Sequence, residues 1–172
     1  MSRPCRAIIF VAIAVLIETA CGGKAPPPPA PVVPPSITIA APVEAKTKAT
    51  MTLVAGKDVN PDTSGRPSPV VVRIYQLKTD AAFRASDFMA LLDDDRKVLG
   101  IELISRDEFV LEPSEQRTVE VVVGDETRFV GAFADFRDYR NPKAQWRALI
   151  PKPTAGFNVT VEGDRIALSL AE

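Results

Sequence analysis

The feature that most restricts how this chain can fold is a run of prolines near its start. Seven of the ten residues from Pro26 to Pro35 are proline. Proline lacks a backbone N–H group and fixes φ near −65°, so this run cannot join a helix or the interior of a sheet. It favours polyproline II, and residues 24–35 would then reach on the order of 35 Å. We predict a spacer over residues 21–36 and one folded domain over residues 37–172.

The residues before the spacer have the organisation of an export signal. Arg3 and Arg6 precede an apolar run from Ala7 to Ile17, and a short stretch ending in Thr19-Ala20 follows. A membrane-spanning helix needs roughly 17 to 25 residues, and this run of about eleven is shorter. We therefore predict that residues 1–20 are a cleaved signal peptide. A proline-module ligand, the alternative for the spacer, is disfavoured in an exported chain because such modules are mostly intracellular.

Cys21 would be the first residue of the mature chain and its only cysteine, because Cys5 lies in the signal. An unpaired thiol is a liability in an oxidising compartment. The small residues Ala20 and Gly22 on either side resemble the lipobox of bacterial lipoproteins, which implies lipid attachment at Cys21. Glu18 departs from that pattern, where an aliphatic residue is expected. The alternative is an ordinary signal peptide that leaves an incidental cysteine.

After the spacer, short β-branched or alternating apolar runs are separated by turn residues, which is typical of an antiparallel β-sandwich. Val119, Val121 and Val123, for example, share one face at period two. Gly163-Asp164 predicts a tight hairpin between the last two runs. The predicted strands are residues 50–55, 70–77, 101–105, 108–111, 117–123, 128–136, 146–150, 157–162 and 165–170.

One segment, residues 79–95, breaks the β pattern. Its large apolar residues recur at spacings of three to five, which indicates helix. They are Phe83, Phe88, Leu91 and Leu92. Ser86 and Asp87 offer an N-cap in the middle, so we predict two short helices that pack as a lid on the sheet edge.

The composition excludes several kinds of chemistry. The chain has no histidine, and its only mature cysteine is at the predicted lipid position. Ser-His and Cys-His nucleophiles, and zinc sites built on these residues, are therefore excluded. The balance of 21 basic against 22 acidic residues gives no reason to expect nucleic acid as a partner. We expect no enzyme activity.

Two acidic stretches could in principle hold a cation. Asp93-Asp94-Asp95 is better interpreted as a solvated helix end, because consecutive helical side chains point in different directions. Asp58-x-Asn60-x-Asp62 imitates the start of a calcium loop. Thr63 and Pro69, however, stand where that motif requires glycine and glutamate. We therefore expect no metal and no cofactor, apart from the lipid.

A loop over residues 56–69, between the first two predicted strands, is the strongest candidate for a functional site. Hairpin loops usually have about two to five residues, so this one is overlong. Its three prolines and the turn sequence Asn60-Pro61-Asp62 would stiffen it. A stiff loop loses little conformational entropy on binding. The alternative is a tolerated insertion without a role.

The loop and the following strand also carry a family resemblance. Asn60-Pro61-Asp62 and the run Gly65-Arg66-Pro67-Ser68-Pro69 into residues 70–77 are similar to TssJ, the outer-membrane lipoprotein family of type VI secretion. The resemblance covers about Thr50 to Leu170. Its further motifs, in the family's order, are Phe83, Asp87-Phe88, Leu99-Gly100, Phe129-Val130-Gly131, Phe136-Arg137-Asp138 and Trp146-Arg147.

This resemblance implies a fold, a location and a partner. The fold would be mainly β, a transthyretin-like antiparallel β-sandwich with a small helical insertion. The protein would be lipid-anchored on the periplasmic face of the outer membrane and would bind the periplasmic C-terminal region of the inner-membrane component TssM. Family members use the loop between the first two strands for this contact. The residues implied here are Asn60, Pro61, Asp62, Gly65, Arg66 and Pro67.

Two functions remain open from the sequence. The first is a structural adaptor of the type VI secretion membrane complex. The alternative is a periplasmic ligand- or carbohydrate-binding lipoprotein, which would need a concave pocket lined with exposed aromatic side chains. Arg66 likewise has two possible roles, a bidentate fork for a partner carboxylate or a tie back to Asp58 or Asp62.

Overall fold

A computed structural model describes residues 47–171 of the chain. The predicted signal peptide, Glu18, Cys21, the proline spacer and the predicted domain start at residue 37 lie outside the described residues. In the part that is described, no helix is long and apolar enough to cross a membrane.

Eight strands and two α-helices lie within residues 47–171. The strands are β1 (Thr47–Ala55), β2 (Val70–Leu77), β3 (Leu103–Leu111), β4 (Gln116–Val123), β5 (Phe129–Ala134), β6 (Arg147–Pro151), β7 (Gly156–Glu162) and β8 (Arg165–Leu170). The helices α1 (Ala81–Ala85) and α2 (Phe88–Leu99) lie between β2 and β3, and a 3₁₀ turn, Gly100–Glu102, follows α2.

The strands form two four-stranded sheets. The first sheet has the order β4-β1-β7-β8 and the second sheet has the order β3-β2-β5-β6. All neighbouring strands are antiparallel except β1 and β7, which run parallel. The predicted mainly β sandwich with a small helical insertion is confirmed. The predicted hairpin turn is also present: Gly163 has φ +55° and joins β7 to β8.

The main core lies between the two sheets because alternate side chains of each strand point inward. Full burial of an aliphatic side chain contributes about 1.5–3 kcal/mol relative to exposure. Val119 and Val121 are only partly buried, whereas Val123 is fully buried. Central members of this core are Met51, Leu53, Val72, Ile74, Phe157, Val159 and Val161.

The prediction of two separate strands over residues 101–105 and 108–111 is wrong, because β3 is one continuous strand that begins at Leu103. The glycine at position 100, with φ +51°, ends α2 and starts the 3₁₀ turn, which leaves Ile101 93% exposed. The charged stretch does not interrupt the strand. Glu108 on this edge strand accepts a hydrogen bond from Nε of Arg73 on β2, at 3.0 Å.

The two predicted short helices are present, although α2 continues to Leu99 instead of ending near residue 95. Asp87 is the N-cap of α2, and its carboxylate accepts a hydrogen bond from the backbone N–H of Ala90 at 2.9 Å. The neighbouring Ser86 ends α1 instead. Its hydroxyl donates to the Phe83 carbonyl at 2.8 Å.

The helices, hereafter the lid, do not lie on the sheet edge, and that expectation is wrong. They cover the outer face of the second sheet, above its central strands β2 and β5. The side chains that meet there are Phe83, Phe88, Leu91 and Leu99 of the lid and Tyr75, Leu77 and Phe133 of the sheet. Gly131 allows Phe83 to approach closely, since a Cβ atom there would lie only 3.1 Å from Cζ of Phe83.

Two arginines of the second sheet donate hydrogen bonds to backbone carbonyls at the ends of helical turns, where carbonyls lack partners within the helix. Arg147 donates from Nη1 to the carbonyls of Phe83 at 3.0 Å and Ser86 at 2.7 Å, at the end of α1. Arg73 donates from Nη1 to the carbonyls of Leu91 and Leu92 at 3.0 and 3.2 Å. These contacts fasten the lid to the sheet.

The interpretation of residues 93–95 as a solvated helix end is wrong for Asp95. The helix α2 kinks at Asp94, whose φ is −152°, and this turns Asp95 inward until it is only 4% exposed. Its Oδ2 accepts a hydrogen bond from the Tyr75 hydroxyl at 2.9 Å and lies 3.2 Å from Nε of Arg106. Burial, followed by the Asp95 charge, raises the pKa of Tyr75 above its usual value.

Candidate functional site

The loop over residues 56–69 connects the two sheets. β1 belongs to the first sheet and β2 to the second, so the comparison with hairpin loops was wrong. The loop crosses one end of the sandwich, which we call the loop end. β1 is a nine-residue strand, about 30 Å long, and Thr47 lies at its opposite end.

The base of the loop is part of the core. Val59 is fully buried and packs among the core residues between the sheets. Its carbonyl accepts a hydrogen bond from the N–H of Ser68 at 3.0 Å, which closes the loop on itself. Gly56 donates to the Val161 carbonyl at 2.7 Å. The base of the loop is therefore fixed by contacts with the core and with β7.

Asn60 joins the loop to two other segments. It has φ +48°, in the left-handed region that asparagine tolerates better than most residues. Its N–H donates to the Gly163 carbonyl at 2.7 Å. Its Nδ2 donates to the Pro69 carbonyl at 2.8 Å, and its Oδ1 accepts from the N–H of Arg137 at 3.0 Å. Asn60 is 4% exposed, so its main role is to hold the shape of the loop.

The tip of the loop, residues 63–67, is exposed and is organised around Asp62. Oδ1 of Asp62 accepts hydrogen bonds from the N–H groups of Ser64 at 2.8 Å and Arg66 at 3.0 Å. Gly65 takes the left-handed conformation, φ +75°, that this turn requires. The hydrogen bond from the backbone of Arg66 is the main reason that the pKa of Asp62 lies below its usual value.

Arg66 binds back to Asp62, which is one of the two roles predicted for it. Its Nε and Nη2 both lie 2.8 Å from Oδ2 of Asp62. The Arg66 side chain is nevertheless 80% exposed, so its guanidinium remains on the surface of the tip. Within the predicted site, Gly65, Arg66 and Pro67 are exposed, and Pro61 and Asp62 are partly buried.

A groove of about 510 Å³ runs beside the loop. The β1–β2 loop forms one wall, and the β5–β6 loop and the β7–β8 turn complete it. Its lining residues are Asn60, Pro61, Asp62, Thr63, Arg137, Asp138, Asn141, Gly163 and Asp164. The sequence predicted only the first wall. Arg137 and Asp138 were present in a family-like motif, but nothing in the sequence placed them next to residues about 75 positions earlier.

The groove does not fit the carbohydrate-binding alternative, because no aromatic side chain lines it. Aromatic residues of the lid and the second sheet serve packing instead. Phe88 stacks on Tyr139 with ring centroids 4.1 Å apart and meets Trp146 edge-on at 5.6 Å. Phe133 is fully buried beneath them.

Comparison with known proteins agrees with this fold. The family described as "T6SS-SciN: Type VI secretion lipoprotein, VasD, EvfM, TssJ, VC_A0113" matches residues 47–170. The crystal structure of the T6SS lipoprotein TssJ1 from Pseudomonas aeruginosa is similar, with 32% identity and a TM-score of 0.69. That match covers 74% of this chain and 98% of TssJ1. No curated protein sequence was found that matches.

Two further solved structures are similar. Lip of Serratia marcescens, a membrane-bound component of the type VI secretion system, has 21% identity and a TM-score of 0.65, which shows the shared fold. That match covers 72% of this chain and 97% of Lip. A chain of a type VI membrane complex has 28% identity and a TM-score of 0.64, over 73% of this chain and 98% of that chain. With a family match over nearly all of its described residues, this chain belongs to the type VI secretion lipoprotein family.

Proposed function

We propose that this protein is a structural adaptor of the type VI secretion membrane complex, which binds the periplasmic C-terminal region of TssM through the loop between β1 and β2. The observation that carries the proposal is the shape of that loop. Its base is buried in the core, its turn is fixed by Asn60 and Asp62, and its tip is exposed. Such a loop is ordered before binding, so little entropy is lost when a partner docks.

One comparison supports TssM as the partner. A similar structure is described as the T6SS protein TssM C-terminal domain (869–1107) from EAEC, with 26% identity and a TM-score of 0.62. The range 869–1107 contains more residues than the 172 of this chain, so this chain could not cover nearly all of it. The match nevertheless covers 99% of the matched chain. The matched chain is therefore shorter than that range. A chain of the present type solved together with a TssM domain would give this result.

The loop residues divide into two roles in this proposal. Asn60 and Asp62 hold the shape of the loop through hydrogen bonds to their neighbours. Gly65, Arg66 and Pro67 present the tip to the partner, and Pro61 borders it. The exposed guanidinium of Arg66 suits a carboxylate of the partner.

We also propose that lipid on Cys21 anchors the protein to the periplasmic face of the outer membrane and that residues 21–36 are the spacer. The direction of β1 supports this arrangement. Thr47 begins β1 at one end of the sandwich, and the loop leaves β1 at the other end, after Ala55. A lipid attached upstream of Thr47 and a partner held by the loop would thus act on opposite ends of the domain.

An adaptor of this kind needs no catalysis and no cofactor besides its lipid. The matched family is one of structural lipoproteins. The absence of histidine from the whole chain further limits acid–base and nucleophilic chemistry near neutral pH. We therefore propose that the protein acts by binding alone.

The test is binding of the full chain, purified in detergent micelles, to the periplasmic C-terminal domain of TssM from the same genome. A matched variant replaces residues 63–67 with glycine and serine, which removes the tip but keeps Val59 and Asn60. We expect a Kd of about micromolar or tighter for the original chain and loss of binding for the tip variant. An unchanged thermal unfolding midpoint would show that the variant is folded. No binding by the folded original chain would overturn the proposal.

A further inference from the structure

We infer that the partner surface is wider than the loop: the groove takes a basic side chain of the partner, which binds between Asp138 and Asp164. This inference rests on the proposed function, because it concerns the same partner. It assigns the β5–β6 loop and the β7–β8 turn to the interface and gives the chemistry that they recognise.

The three segments that line the groove form one connected unit. Asn60 bonds the β1–β2 loop to Gly163 of the β7–β8 turn and to Arg137 of the β5–β6 loop. The last two segments are also joined directly, since the N–H of Gln145 donates to the Asp164 carbonyl at 3.0 Å. A partner that touches the loop tip therefore meets a groove whose walls are already in place.

Asn141 brings two carboxylates together on the far wall. Its Nδ2 lies 3.3 Å from Oδ2 of Asp138 and 3.1 Å from Oδ2 of Asp164. Within residues 47–171, neither carboxylate forms an ion pair. Asp62 on the opposite wall differs, because Arg66 already binds its Oδ2.

The charges around the groove favour a cation. Three carboxylates and one guanidinium, that of Arg137, belong to its lining. Arg137 lies close enough to Asp62 to help lower the pKa of that carboxyl group, so its charge is partly balanced there. Lys143 and Arg165 share a separate depression with Asp164, of about 410 Å³, and do not line the groove.

A lysine or arginine of the partner is therefore the occupant that the groove fits. It would donate charge-assisted hydrogen bonds to both carboxylates, and an arginine would do so in a planar fork. Because the loop tip borders the same cavity, one partner segment can contact the tip and the groove together. Charge complementarity of this kind also speeds association and makes it dependent on salt.

The experiment compares two double variants of the full chain in detergent, with the TssM C-terminal domain as the probe. Asp138→Asn with Asp164→Asn removes both groove charges and keeps the side-chain shape. Asp93→Asn with Asp107→Asn removes two exposed charges outside the groove. The dissociation constant is measured at about 0.05 M and about 0.3 M salt.

We expect the groove variant to bind about tenfold more weakly or worse at low salt, and to lose most of the salt dependence of the original chain. The control variant should bind like the original. Equal affinity and equal salt dependence in the two variants would overturn the inference. The single change Asp138→Asn, at an exposed site, repeats the test if the double variant unfolds.

The outcomes also separate this inference from the proposed function. If the original chain does not bind the TssM domain, the proposed function fails first. If it binds, and the tip variant loses binding while the groove variant keeps it, the loop is the site and the groove inference is wrong.

Discussion

The lid and the loop are both additions to the sandwich, yet they are held in opposite ways. The lid is held largely by apolar burial, with Phe83 and Phe88 packed on Tyr75 and Phe133. The loop beyond Val59 is held largely by hydrogen bonds, which converge on Asn60 and Asp62. A segment held by polar bonds can keep its shape while its tip faces water. The lid therefore serves stability, and the loop has the form that the proposed role in recognition requires.

The largest expected effect comes from a substitution in the apolar packing beneath the lid. Phe133→Ala would leave a cavity beneath Phe88 and Trp146, whose ring centroids lie 5.1 and 5.9 Å from that of Phe133. We expect a loss of about 3–5 kcal/mol in the free energy of unfolding, measured by chemical denaturation. The fraction that remains folded should still bind the TssM domain, because the loop does not contact the lid core. Weaker binding by that fraction would mean that lid and loop are coupled.

The next effect tests the centre of the loop. Asn60→Ala removes two side-chain hydrogen bonds and places alanine at φ +48°, so we expect a loss of about 2–4 kcal/mol by thermal or chemical unfolding. Asn60→Gly is the matched control, since glycine adopts this backbone conformation without strain. A smaller loss for glycine would separate strain from hydrogen bonding. Equal stability of all three proteins would contradict the role assigned to Asn60.

The pH dependence of stability tests the contribution of Tyr75, on which the lid packs. Burial and Asp95 raise the pKa of Tyr75 above 10.0, so the folded state favours the neutral phenol. This stabilisation is complete below pH 10 and is lost as the pH rises further, by up to about 1.4 kcal/mol per pH unit. The free energy of unfolding, measured from about pH 8 to about pH 11, should fall less steeply with pH for Tyr75→Phe than for the original chain. Identical slopes would mean that Tyr75 does not contribute.

The smallest expected effect on stability concerns the loop tip. The ion pair between Arg66 and Asp62 is largely exposed, so Arg66→Ala should change the free energy of unfolding by less than about 1 kcal/mol. Faster hydrogen exchange at the amides of Ser64 and Arg66 should report a looser tip. Binding to the TssM domain should weaken at the same time. A variant with a looser tip and unchanged affinity for the TssM domain would show that Arg66 only stabilises the loop tip.

Sequence reasoning predicted what depends on local periodicity. The alternation of Val119, Val121 and Val123 placed β4, and the apolar spacing around Phe83 and Phe88 placed the helices. It failed where the position of an element depends on residues that are distant in the sequence. On the sheet face that the lid covers, Phe83 packs closely against Gly131, and no local pattern relates these two positions.

The candidate site shows the same division. The turn sequence of the loop was evident from Asn60, Pro61 and Asp62, because turn chemistry is local. The second wall was not, because Asn141 and Asp164 reach the loop only through the pairing of strands that follow it by many residues. The buried position of Asp95 was missed for a related reason: it depends on a kink in α2 and on arginines from β2 and β3.

The placement of β1 has a mechanical meaning. This strand lies in the interior of the first sheet, between β4 on one side and β7 on the other, and it continues directly into the loop. If the protein links two membranes as proposed, tension between lipid and partner runs along the length of β1. Both ladders of hydrogen bonds are then loaded in shear, so that many bonds share the force instead of opening one after another. The strand that joins the two ends of the domain is thus also the one best placed to carry a pull between them.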